Sequence, residues 1–173
     1  YAPAPTGERR FQPAMSVKRF DGGVLDRRER SKYTIPFCPQ NVLIPAFAPG
    51  APSVESEDCL VLSVYVPPAD VPRCENNNHQ RPVYVWMHGG AWKVGAAAGN
   101  GKSVDGDADF RAYDYELFAK QTGAIVVGFN YRLGAFGFLA TRALLRADGT
   151  AGNAGALDQH LALRWVHENA AAF

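Results

Sequence analysis

The run Val83 to Met87, VYVWM, has no charged residue and breaks off at once into His88, Gly89, Gly90, Ala91 and Trp92. No other junction in the chain constrains the fold as much. A strand with one wet face alternates apolar and polar residues; this one does not, so it reads as a strand covered on both sides by helices. A second such run, AIVVGFN at Ala124 to Asn130, follows a helix expected near Tyr113 to Gln121, with Gly123 between them. Strand, helix and strand in that order form a βαβ unit, which places the chain in the α/β class. Upstream, CLVLSVYVPP alternates and stops on Pro67 and Pro68, as an antiparallel or edge strand does. Downstream, Leu157, Leu161 and Trp165 recur every fourth residue, predicting an amphipathic helix from about Ala156 to Ala171 packed on the sheet.

The 173 residues, 47% of them hydrophobic, suffice for one domain with a real core. Eighteen basic residues against 17 acidic ones are too balanced to argue for nucleic acid as partner. The basic stretch from Glu8 to Lys32 is interleaved with Asp21, Asp26 and Glu29 and reads as a solvated, ion-paired face. The apolar runs near Ala124 and Leu133 are broken by Asn130 and Arg132, short of the roughly 20 residues that span a bilayer. The first residue is Tyr1 and no charged-then-apolar leader follows, so the chain is expected to have been processed or cut from something longer.

A histidine and small residues at the end of a buried parallel strand stand where open α/β sheets place their ligands, and glycine lets the backbone approach a ligand closely. On spacing alone, a tight turn with no ligand fits equally well. GNGKS, Gly99 to Ser103, resembles a phosphate loop but has Ala96 where the leading glycine belongs, so it reads as a loop insertion. His79 sits in a polar loop, and His160 and His167 lie at the edges of the last helix; no Cys/His spacing suggests zinc, and no metal or cofactor is expected.

Four segments taken in order carry more information than any of them alone: SEDCLVLSVYVP, VYVWMHGGAW, NYRLGAFGFLA and GNAGALDQHLALRWVHEN. Together they resemble the signature segments of the type-B carboxylesterases, which include cholinesterases and fungal lipases and have the α/β-hydrolase fold. YAPAPTGERRFQP and PFCPQ look like that family's N-terminal segments. The resemblance implies that residues 1–173 are the N-terminal part of a single domain. Its sheet would be partial and mixed, with mostly parallel core strands flanked by helices, truncated at both ends.

Residue by residue, the resemblance implies that Gly90 and Ala91 donate backbone N–H groups to a tetrahedral oxyanion, where the family usually has glycine at the second position. His88 and Gly89 would support that loop; His88 reads as a residue that orients the turn rather than as the general base. Trp92 would lie beside substrate. Arg132 would pair with Asp158 and Arg10 with Glu57, both as structural ion pairs, and Cys59 would be joined to Cys38 in an oxidising, extracellular compartment. Cys74 is left free or bonded elsewhere. Three reduced thiols in a cytosolic protein are the alternative.

The chemistry that would use such a loop is missing. None of the six serines has a glycine two residues away on both sides, so the G-x-S-x-G turn of a serine hydrolase is absent. The resemblance implies that the nucleophile, acid and base all lie beyond Phe173, so that this chain alone does not hydrolyse esters. The favoured reading is part of a secreted serine esterase or lipase that acts on small-molecule or lipid esters. Part of a non-catalytic cholinesterase-like binding protein is the alternative, since the family includes members without the serine. A nucleotide-binding domain rests on GNGKS alone.

Overall fold

A computed structural model describes residues 1–17, 36–40, 55–72, 80–97, 101–102, 109–110 and 115–173. His79, Cys74, most of the basic stretch and part of GNGKS lie outside the described residues. The core is a three-stranded sheet built from β1 (Leu62–Tyr65), β2 (Val83–Met87) and β5 (Ile125–Phe129), in the order β1-β5-β2. A separate pair, β3 (Gly101–Lys102) and β4 (Asp109–Phe110), is antiparallel. Three helices follow: α1 (Tyr115–Thr122), α2 (Gly134–Phe138) and α3 (Ala154–Asn169).

β5 pairs in parallel with β2 and antiparallel with β1, with Val127 opposite both Val85 and Val64. α1 connects the two parallel strands, and its last turn closes with Gly123 N–H donating to the Ala119 carbonyl at 2.9 Å. Arg81 then fixes this turn to the preceding loop through the carbonyls of Gly123 and Val71.

Alternation along β5 decides which helix covers which face. Val126 faces Tyr115 and Ala119 of α1, whereas Ile125 and Val127 face Val166 of α3. Every residue of β5 is buried. β2 is not covered in the same way, although its sequence is equally apolar. Val83 and Val85 join the α3 side of the core, but Tyr84 and Trp86 on the other face are 52% and 41% exposed. β2 is the outer strand of the described sheet and α1 lies chiefly over β5 and β1, touching β2 through Phe118 against Tyr84.

α3 also differs from its expected stripe. Its buried face is Ala154, Gly155, Asp158, Leu161, Ala162 and Val166, and Leu157 is exposed. A step of four residues turns about 40° past one full rotation of an α-helix, so Leu157 leaves the face that Leu161 holds. None of the described helices is long and apolar enough to cross a membrane.

Candidate functional site

The loop after β2 is held in a backbone shape that most side chains resist. φ is +116° at Gly90, +52° at Ala91, +59° at Trp92 and +131° at Gly95. For Ala91 and Trp92 the left-handed region costs about 1–3 kcal/mol each, so the surroundings must impose it. Glycine is required at position 90, where a Cβ would lie 1.7 Å from the Val94 carbonyl oxygen. At Gly89, by contrast, a Cβ would meet nothing within 4 Å.

Hydrogen bonds within and around the loop supply the constraint. The Gly90 carbonyl accepts from the amides of Lys93 and Val94 at 3.0 and 3.1 Å, and the Trp92 carbonyl accepts from Gly134 N–H at 2.7 Å. The amides of Gly90 and Ala91 themselves donate to no acceptor among the described residues, and both residues are exposed. Two adjacent free donors on a fixed turn are what an anion needs, because they pay no reorientation cost when charge develops. Trp92 is exposed beside them, with its ring 6.1 Å from that of Phe138.

Three consecutive residues after β5 tie this loop to the core. Asn130 Oδ1 accepts from Ala97 N–H at 2.8 Å at the loop's far end, and its Nδ2 donates to the Pro36 carbonyl. The Tyr131 hydroxyl donates to the His88 carbonyl at 2.8 Å at the near end. Arg132 turns the other way and meets Asp158 on α3 with two bonds of 2.7 Å, while its backbone N–H donates to the same carboxylate. This pair is 2% and 0% exposed. Gly137 and Gly155 pack so closely on the Arg132 carbonyl that a Cβ at either would lie 2.3–2.4 Å from its oxygen, which lets α2 and α3 meet there.

His88 lies beneath the loop, 3% exposed, with its ring stacked 4.3 Å from that of Tyr131. Burial pushes its pKa below the ordinary histidine value, and the hydrogen bond to the Gly89 carbonyl offsets this in part. The neutral ring carries its proton on Nδ1, which faces that carbonyl at 2.9 Å, and Nε2 is buried with no partner among the described residues. A ring so enclosed supports the loop and does not present a nitrogen to solvent. The second ion pair, Arg10 with Glu57, is equally bidentate at 2.6 and 2.7 Å but sits at the surface. A disulfide joins Cys38 to Cys59. His160 and His167 are exposed on α3.

Sequence reasoning missed Gln40, Asn130 and Tyr131, all of which bond to the loop. Each stands inside a segment already singled out, PFCPQ or NYR, but no local pattern shows that its side chain reaches a backbone group many residues away.

The model of the Carboxylesterase family matches residues 1–173. Acetylcholinesterase of Danio rerio is 37% identical over 98% of this chain and 24% of its own length. A carboxylic ester hydrolase of Bombus ignitus is 34% identical over 100% of this chain and 26% of its own, and Neuroligin-2 of Mus musculus is 34% identical over 100% and 21%. Among solved structures, a thermophilic PNB esterase superposes with a TM-score of 0.70 at 33% identity, covering 99% of this chain and 30% of that one. Another PNB esterase gives 0.70 at 35% identity over the same shares. The chain thus spans about a quarter of the curated relatives it matches, and its small mixed sheet with flanking helices is part of an α/β-hydrolase fold.

Proposed function

Because this chain belongs to the carboxylesterase family, we propose that it supplies the oxyanion-binding loop of a serine carboxylic-ester hydrolase whose nucleophile, acid and base lie in other parts of the protein. The observation that carries this reading is that Gly90 and Ala91 are exposed and that their amides donate to no acceptor among the described residues, on a turn held by Tyr131, Asn130 and Gly134.

In this mechanism a serine hydroxyl adds to the ester carbonyl carbon and gives its proton to the base, which returns it to the leaving oxygen on collapse. As the new C–O bond forms, the carbonyl π pair moves onto oxygen, and the two N–H groups bind the oxyanion. Collapse of the tetrahedral species expels the alcohol and leaves an acyl-enzyme, which water then cleaves through a second oxyanion at the same donors. Losing one such donor typically lowers the rate about 100- to 1000-fold. The esters are small molecules or lipids, and Trp92 lies beside the substrate. The Cys38–Cys59 disulfide supports an oxidising, extracellular setting for the protein.

A fluorophosphonate, which forms a stable adduct only with an activated serine, tests this directly. The complete protein should gain one adduct and the isolated 173-residue chain none. A folded complete protein that stays unlabelled would instead support the second reading, a non-catalytic binding member of the family. The 34% identity to Neuroligin-2, a relative not named as an esterase, favours keeping that reading. The family match across the whole chain leaves the nucleotide-binding reading of GNGKS without support.

A further inference from the structure

We propose that Gln40 is a positioning residue for this loop, holding its returning limb so that Gly90 and Ala91 keep their amides presented; the inference rests on the oxyanion reading above. Its carboxamide grips one residue from both sides. Oε1 accepts from Gly95 N–H at 2.8 Å, and Nε2 donates to the Gly95 carbonyl at 2.9 Å and to the Cys38 carbonyl at 3.2 Å. One side chain thus makes the two bonds that a neighbouring strand would make, to a limb that no strand accompanies among the described residues.

The limb can be held in few other ways. Gly95 has φ +131°, and a Cβ there would lie 2.3 Å from His88 Nδ1, so no side chain at this position can anchor it by packing. The hold must come through the backbone, and Gln40 takes both groups that Gly95 offers. Gln40 is itself fixed. It stands two residues from Cys38, whose disulfide leads to Cys59 just before β1, and the Ser56 amide donates to the Phe37 carbonyl at 2.9 Å. The clasp therefore refers the loop to the edge of the sheet across 55 residues of sequence.

Without it, Ala91 and Trp92 lose part of what forces them into the left-handed region. The limb relaxes and the two amides lose their fixed placement. Ground-state binding of the ester does not depend on those amides as the tetrahedral state does, so kcat falls while KM changes little.

The test uses the complete protein with Gln40→Met, which keeps length and loses both polar partners, and Gln40→Glu, which keeps the acceptor and loses the donor. Native-state trypsin cleavage after Lys93, an exposed residue of the loop, reads the limb independently of catalysis. Gln40→Met is expected to lower kcat about tenfold or more with KM within about twofold. Cleavage after Lys93 should accelerate by about tenfold as the limb opens, and Gln40→Glu should fall between Gln40→Met and the parent on both measures. A folded Gln40→Met protein with parental kcat and parental Lys93 cleavage overturns the proposal, and Gln40→Glu decides the matter if Gln40→Met does not fold. If the parent itself has no esterase activity, the oxyanion reading fails, while Lys93 cleavage still shows whether Gln40 holds the limb.

Discussion

Two arginine–carboxylate pairs in this molecule have nearly the same geometry and opposite surroundings. Arg132 and Asp158 meet through two bonds of 2.7 Å with almost no exposure, while Arg10 and Glu57 meet through bonds of 2.6 and 2.7 Å with 43% and 22% exposure. Bond length does not distinguish them, but solvent does. At the surface, water screens the attraction and accepts either partner after the other is lost. In the interior, where α2 and α3 meet, nothing replaces a missing partner, so the buried pair fixes where the end of β5 stands relative to α3. The residue before Arg132 in the chain is Tyr131, which holds the near end of the loop, so the pair also sets the platform for Gly90 and Ala91.

The largest expected effect sharpens this contrast. Asp158→Ala leaves Arg132 charged and buried, costing roughly 3–5 kcal/mol; the complete protein should lose soluble, folded yield. A soluble variant with the parental unfolding midpoint would break the comparison. Next is the disulfide, which ties the Gln40 segment to the start of β1 with a sequence separation of 21. Replacing Cys38 and Cys59 together by serine should cost about 3 kcal/mol by the chain-entropy argument, read as a lowered midpoint in denaturant.

His88 extends the contrast to a group that can change its charge. Its folded pKa is depressed by burial, so below the ordinary value of about 6.5 the unfolded chain binds the proton more readily. Its contribution to stability is therefore complete above that pH and is lost as pH falls toward the depressed folded value. His88→Gln should flatten the stability profile in this acid window, which thermal melts across about pH 4.5 to 8.5, two units either side of the onset, would show. The smallest effect is expected at the surface. Glu57→Ala should leave the midpoint close to that of the parent, and any difference should shrink as salt is added.

The sequence carried the framework of the fold because its signals there are local. The two-sided apolar run at Ile125 to Phe129, the prolines after Val66, and Gly123 between α1 and β5 each act on their own neighbourhood, and each stands where expected. β2 shows the limit. VYVWM is as apolar as IVVGF, but whether a face is covered depends on which strand lies in the middle and where α1 lands, and composition holds neither. Leu157 fell outside the buried stripe because a four-residue ladder drifts around the helix.

At the candidate site it was the family resemblance that singled out Gly90 and the Arg132–Asp158 pair, and the structure has a turn only glycine fits at the first and a buried ion pair at the second. The left-handed backbone of Ala91 and Trp92 left no trace in residue type, since neither is a residue that favours it. Gln40 was invisible for a related reason: its partner is the backbone of Gly95, and a backbone group has no letter in the sequence.

Oxyanion binding by this chain depends on the direction of two N–H bonds. A crystal structure of the complete protein carrying a phosphonate on its reactive serine tests this most directly. The phosphonyl oxygen is predicted to lie about 2.7–3.1 Å from the amide nitrogens of both Gly90 and Ala91. An adduct whose oxygen is held elsewhere, with these nitrogens donating to protein carbonyls instead, would contradict it.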